Sequence, residues 1–178
     1  MNQTVLSTLL LGLVCSPSNH AEVPVEIPVA YVMVARNFQV PPDILYAVAV
    51  TESGRSYQGV KVPWPWALNI EGESVYSETE QEAHRVVIEA VQQRKSVDIG
   101  LMQVNWRWHK QRFLSVEESL SPIKNLVVGA IILSEQHEKT GDWWEAVGRY
   151  HDPGQDAESQ DSARRYRERV EQNWRVRF

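Results

Sequence analysis

Cysteine is nearly absent from this chain. The only one is Cys15, so nothing beyond residue 15 can form a disulfide, a thiolate nucleophile or a cysteine-bound zinc site. The apolar core must hold the fold alone. Long apolar runs are missing too: the stretch over residues 5–14 is shorter than the roughly 20 residues that span a bilayer. Positive charge is not in excess. Eighteen Lys and Arg stand against 23 Asp and Glu, with the signs interspersed and a formal net charge of -5. Electrostatic binding of nucleic acid or anionic lipid is therefore disfavoured. Histidines 84, 109, 137 and 151 have no close metal-ligand spacing, and His137-Glu138 lacks the second histidine of a zinc protease motif. The chain has no glycine-rich phosphate loop and no nucleophilic serine elbow. No metal and no cofactor are expected.

What is present begins with a leader. Residues 1–21 carry the apolar run and then small and polar residues, the pattern of a secretory signal peptide with cleavage after Ala21. Val14, just before Cys15, is not the small residue that a lipid-attachment signal places there. With 178 residues, 43% of them hydrophobic, the chain can bury one proper core, and residues 29–178 read as a single domain.

Residues 22–28 alternate proline and valine and read as an extended lead-in. Helical spacing follows over residues 30–38, and a second helix runs from Pro41-Pro42, suited to a first turn, to Gly54, read as its C-cap. Residues 62–70 lead through Glu71-Gly72-Glu73-Ser74 into Val75-Tyr76, a hairpin-like pattern. A helix is expected over residues 80–93, with Ala83, Val86, Val87 and Ala90 as its apolar stripe, and residues 96–104 look extended and then looped. The clearest helix covers residues 122–138, where Ile123, Leu126, Val127, Ala130 and Ile131 are predicted to face the core. Asp142 caps a short helix with Trp143, Ala146, Val147 and Tyr150 on one face. Residues 152–161 read as a loop. The last helix sets Tyr166, Val170 and Trp174 in a docking stripe, with Arg164, Arg165, Arg167 and Arg169 outside as a solvated face or a partner surface. The class is mainly α, with a small β-hairpin.

Glu52 is the residue with chemistry in it. At about 100° per residue it falls over Leu45 and beside Val48 and Ala49, the apolar stripe of its helix. A carboxyl there is partly desolvated, which disfavours ionisation and raises its pKa towards neutrality, as a general acid requires. The alternative is a surface glutamate in a frayed last turn.

Four motifs occur in order: Glu52-Ser53, Gly100-Leu101-Met102-Gln103, Pro122-Ile123-Lys124-Asn125-Leu126-Val127-Val128-Gly129 and Ala146-Val147-Gly148-Arg149-Tyr150. Together, across residues 40–154, they resemble the lytic transglycosylase family. Pro63-Trp64-Pro65-Trp66-Ala67-Leu68-Asn69-Ile70 and residues 100–108 resemble the members carried by conjugative and integrative elements. The resemblance implies a lysozyme-like fold acting on the β-1,4 bond between N-acetylmuramic acid and N-acetylglucosamine in peptidoglycan. In that family one glutamic acid protonates the departing oxygen, the substrate's N-acetyl group supports the positive charge, and the same carboxylate then takes the C6 hydroxyl proton. A 1,6-anhydro sugar results. One carboxyl suffices, whereas ordinary glycosidases use two. The leader implies export to the periplasm, and the resemblance implies glycan strands as the partner and local wall opening for a conjugation or secretion apparatus.

By motif, Glu52 is the catalytic acid, and the substrate-binding positions are Ser53, Met102, Gln103, Asn105, Tyr150 and His151. Ser53 either orients the carboxylate or substrate, or merely caps the helix. Met102 lines the groove or packs in the core, and the Gln103 amide can donate to and accept from a sugar acetamide. Tyr150 is expected near the acid, holding its orientation. His151 stands where the family usually has asparagine, as a substitute contact, a base or a structural loop residue. Asp98 is the possible second carboxylate. Facing Glu52 at about 6.5–9.5 Å it would activate water, as in a goose-type-lysozyme-like hydrolase; its plainer role is to bond backbone amides before Gly100. A non-catalytic glycan-binding assembly factor is the remaining alternative. At least one of Trp64 and Trp66, and one of Trp106 and Trp108, is expected to offer its ring to a sugar face. Trp143 and Trp144 are expected to pack.

Overall fold

The computed structural model describes residues 26–178. The leader, Cys15 and residues 22–25 of the lead-in lie outside the described residues, and residues 26–28 enter the first helix without regular structure. Among the described residues no helix is long and apolar enough to cross a membrane.

Helix α1 (Val29–Asn37) buries Tyr31, Val34 and Ala35 and packs on α2 (Pro42–Ser53). In α2 every residue from Ile44 to Val50 is buried. A helix apolar all round belongs in a core, and α2 is wrapped by α1 and the C-terminal helix α8 (Ala157–Arg175). The Asp43 carboxylate accepts the Trp174 indole N–H at 2.7 Å, tying the start of α2 to the end of α8.

Gly54 ends α2, though not as a left-handed cap. Its φ is -62° and it passes directly into a strand. A Cβ there would collide with the Val50 carbonyl and the Lys61 side chain, so close approach is what requires glycine. The single expected hairpin is one of two. Strands β1 (Gly54–Tyr57) and β2 (Val60–Pro63) form a separate two-stranded sheet, while β3 (Ala67–Ile70) and β4 (Glu73–Tyr76) join β5 (Val97–Ile99) and β6 (Val104–Asn105) in the antiparallel order β4-β3-β5-β6. Both hairpins turn through two residues of positive φ, Gln58-Gly59 and Glu71-Gly72, as the twist of tight hairpins demands.

Helix α3 (Glu80–Gln92) is capped by the Thr79 hydroxyl, which accepts the Glu82 N–H at 3.2 Å. Its Ala83, Val87 and Ala90 pack with Leu68, Val97, Ile99 and Leu120 as a core under the sheet. Two four-residue helices, α4 (Trp106–His109) and α5 (Val116–Ser119), flank a single 3₁₀ turn at Lys110–Arg112. They are too short for apolar periodicity to reveal them. Trp106 packs against both this core and the larger one between the other helices.

Helix α6 (Pro122–Thr140) ends at Gly141, a left-handed residue with φ 71°. Its expected inner stripe is rotated. Ile123 is exposed, Val127 and Ile131 are half-buried, and the buried set includes Asn125, Leu126, Val128, Ala130, Ile132, Leu133 and Gln136. Two polar residues point inward, and a count of apolar positions alone places them outside. Helix α7 (Trp143–His151) starts at the Asp142 cap, whose carboxylate accepts the Glu145 N–H at 2.8 Å. Helix α8 begins inside the expected loop, because Asp156 caps it through the Ser159 N–H at 3.0 Å. The polar first turn of α8 disguises it. Tyr166 and Val170 are its buried residues, packed towards α2 and α7.

Candidate active site

The end of α2, the four-stranded sheet, the middle of α6 and the end of α7 enclose a cleft of about 780 Å³. Glu52, Asp98, Gln103, Asn105, Trp108, Tyr150 and His151 are on its wall. Glu52 comes off the last turn of the most buried helix, so its carboxyl meets little water. Burial is the main cause that lifts its pKa to about 7; a hydrogen bond from Tyr166 opposes the rise, the charge of Asp98 adds to it, and Arg169 opposes it.

The Tyr166 hydroxyl donates to Glu52 Oε1 at 2.5 Å. The expectation for Tyr150 is corrected here: its hydroxyl donates to the Met102 carbonyl at 2.6 Å, and Tyr166 is the tyrosine that holds the acid. Tyr150 instead fastens α7 to the loop before β6 while its ring lines the cleft. Both phenols have pKa values well above the usual tyrosine value, chiefly through burial and then through the Glu52 charge, so both remain donors. Sequence reasoning placed Tyr166 only in a packing stripe. A tyrosine within a stripe that docks on the acid-bearing helix was the available signal.

Ser53 touches neither cleft nor carboxylate. It is fully buried, and its hydroxyl lies 3.0 Å from the Ala49 carbonyl and 2.8 Å from that of Leu101. One side chain thus pins the end of α2 to the loop of the second motif. Met102 likewise lies wholly in the core, so close to Gly129 of α6 that any side chain there would collide with it. Gln103 does line the cleft, held at φ 43°. Its amide nitrogen donates to the carbonyls of Ala67 at 3.0 Å and Gly100 at 2.9 Å, so both donors are spent and a sugar contact must use its oxygen.

Asp98 sits in the middle of β5 rather than in a loop, and its partner is a side chain rather than backbone amides. Asn105 Nδ2 lies 2.7 Å from Asp98 Oδ1 and 3.1 Å from Ser96 Oγ, while Asn105 Oδ1 accepts the Trp108 N–H at 3.3 Å. Asn105 therefore orients the second carboxylate and caps α4 at once. Burial raises the Asp98 pKa and the Asn105 bond partly offsets this.

His151 stacks flat on Tyr166, with ring centroids 4.6 Å apart and planes at 2°. Burial and then the Arg169 charge hold its pKa below the ordinary histidine value. It supports the tyrosine that holds the acid, and its ring also faces the cleft. Of the tryptophans, Trp108 is 70% exposed and lines the cleft, while Trp106 stacks on Phe113. Neither Trp64 nor Trp66 is on the cleft wall: they meet edge to face at 6.3 Å, and Trp64 donates to the Ser77 carbonyl at 2.7 Å. Trp143 stacks on His137 at 3.8 Å and Trp144 meets Trp174 edge-on at 5.8 Å, both in packing. Among the described residues no three His, Cys, Asp or Glu side chains group as a metal site would need.

A helical body beside small antiparallel sheets, with Glu52 at the end of a buried helix on the wall of the cleft, is the architecture of a lysozyme-like protein. Residues 31–173 match the Transglycosylase SLT domain, and the chain belongs to that family: it is a lytic transglycosylase whose substrate is peptidoglycan. It is 34% identical over 114 residues to the invasion protein IagB of Salmonella typhimurium, covering 61% of this chain and 70% of that protein. It is 31% identical over 100 residues to the protein virB1 of Agrobacterium fabrum, covering 55% of this chain and 38% of that one. No solved structure matches the chain.

Proposed function

We propose that Glu52 alone carries both proton transfers of a cleavage that consumes no water. The neutral carboxyl gives its proton to the glycosidic oxygen as the bond to C1 of the muramic acid breaks, and the substrate's acetamide oxygen covers C1. The Glu52 carboxylate then takes the C6 hydroxyl proton while that oxygen closes on C1 and releases the acetamide. Atoms and charge balance, and the acid is restored. The observation that carries this reading is the Glu52 carboxyl held near a pKa of about 7 by burial, within reach of a phenol that can stabilise its anion. Such a group is protonated often enough to be an acid and ionised easily enough to be a base.

Asp98 fits a hydrolytic base less well. Its Oδ1 is already engaged by Asn105, which weakens it as an acceptor of a water proton. In this reading it tunes Glu52 by charge and shapes the polar wall, and Gln103, Asn105, Tyr150, His151 and Trp108 contact the saccharide. The leader directs the enzyme to the periplasm, where it opens the wall for a conjugation or secretion apparatus. Support for the apparatus comes from the resemblance to transglycosylases of conjugative elements and from the likeness to a protein named for invasion.

The test is Glu52→Gln, which keeps the shape and the bond from Tyr166 but removes the acid. Clearing of purified peptidoglycan should fall by about 10²–10⁴-fold with an unchanged circular dichroism spectrum. A folded variant within tenfold of wild type would remove Glu52 from the chemistry.

A further inference from the structure

We infer that Arg149 is a specificity residue that binds a carboxylate on the peptide stem of the glycan strand. This rests on the peptidoglycan reading above and deepens it. Arg149 precedes Tyr150 on α7 and lines the catalytic cleft beside Gln136, His151 and Pro153. It is the only lysine or arginine among the residues that line that cleft. The two histidines on the same wall do not supply positive charge at neutral pH, because burial holds both His109 and His151 below the ordinary histidine pKa.

Arg149 also forms no ion pair among the described residues, unlike its neighbours on α8. Arg164 is paired with Asp161 and Glu168, and Arg167 with Glu145 and Glu171. Glu145 is paired with Arg167 and Asp152 accepts the Gly154 N–H at 3.1 Å, and neither is bonded to Arg149. What Arg149 does meet is neutral. Its Nε donates to the Gln136 side chain at 3.4 Å, and the Gln155 amide oxygen, turned towards it, accepts from both terminal nitrogens. With three of the five guanidinium donors so placed, two are left for a ligand.

Two amides that orient a guanidinium without neutralising it leave its charge and one N–H on each terminal nitrogen for an anion, and a carboxylate oxygen can accept either. The N-acetylated sugars of the glycan backbone carry no charge. The carboxylates of the substrate are on its peptide stems, which project from the muramic acid at the bond that Glu52 cleaves. Arg149 is positioned to read them.

The test uses peptidoglycan whose stem carboxyls are free and the same material after enzymatic amidation, with the full mature chain. Wild type should show a kcat/KM roughly tenfold higher on the acidic material, as a charge-assisted pair gives, with the difference in KM. In Arg149→Gln the preference should collapse to about one, and in Arg149→Lys it should be intermediate, since the charge stays and the bonds to Gln136 and Gln155 that orient it are lost. Melting curves of both variants establish folding, and the lysine variant carries the test if the glutamine one does not fold. A preference that survives in folded Arg149→Gln, or wild type that cuts both materials equally, overturns the inference and leaves the transglycosylase reading standing. Wild type that cuts neither overturns both.

Discussion

Tyr166 and Glu52 act on one proton from opposite directions. Burial favours the neutral carboxyl and lifts its pKa to about 7, whereas the phenol favours the anion. Tyr166→Phe keeps the ring, and with it the stack on His151, but deletes that donor. The Glu52 pKa should then rise, so the basic limb of the kcat/KM profile moves to higher pH, while kcat falls about tenfold as the carboxyl loses its orientation. A limb that stays in place would mean that the phenol does not act on the acid. Stability carries the same proton. Folded Glu52 binds it more tightly than the unfolded chain does, so its contribution is complete below the unfolded value of 4.5 and is lost as pH rises through about 7. Glu52→Gln should therefore raise Tm at pH 8, by the equivalent of up to roughly 3 kcal/mol, and have little effect at pH 4. Denaturation at the two pH values checks it. Glu52 was legible in the sequence because the periodicity of its own helix places it on an apolar stripe. Tyr166 was not, because its role lies in a contact 114 residues away along the chain.

At the level of elements, Asn125 of α6 locks together the segments that frame the cleft. Its side-chain oxygen accepts the Met102 N–H at 2.9 Å, and its nitrogen donates to the carbonyls of Ile99 at 2.7 Å and Ser119 at 3.2 Å. Gly100, at φ 78°, has no room for a Cβ because Asn125 atoms lie 2.7 Å from where it would be. Asn125→Leu leaves three buried backbone groups unpaired and should cost about 3–5 kcal/mol of unfolding free energy; urea denaturation reads it directly, and a loss below about 1 kcal/mol would show that the loop holds itself. The helices were largely readable from apolar spacing, but the facing of α6 was not, since Asn125 and Gln136 are polar residues turned inward. The β1–β2 hairpin escaped because each strand is only four residues long and Gly54, Arg55 and Ser56 give the first almost no apolar pattern. Its turn, like the recognised one at Glu71-Gly72, depends on a glycine of positive φ.

Across the whole molecule the site is assembled from distant parts: the acid from α2, the polar wall from β5 and β6, Tyr150 and His151 from α7, and Tyr166 from α8. Helix α8 is therefore more than a cover. Its Arg164, Arg165, Arg167 and Arg175 pair with acids mostly three or four residues away, while its Arg169 lies over the Tyr166 ring at 5.4 Å. Its inner residues complete both the core and the acid's surroundings. A chain ending at Gln155 should lose cooperative thermal unfolding as well as lysis, and retention of a sharp transition would show that α8 is dispensable to the fold. The mainly helical class and the motif order could be read from sequence because each motif is local, while their convergence could not. The central claim, that one carboxyl and the sugar's own hydroxyl complete the reaction without water, is tested most directly by the masses of the muropeptides released from purified peptidoglycan. The account predicts 1,6-anhydro ends, one water lighter than hydrolytic products; reducing ends would contradict it and make Asp98 the base.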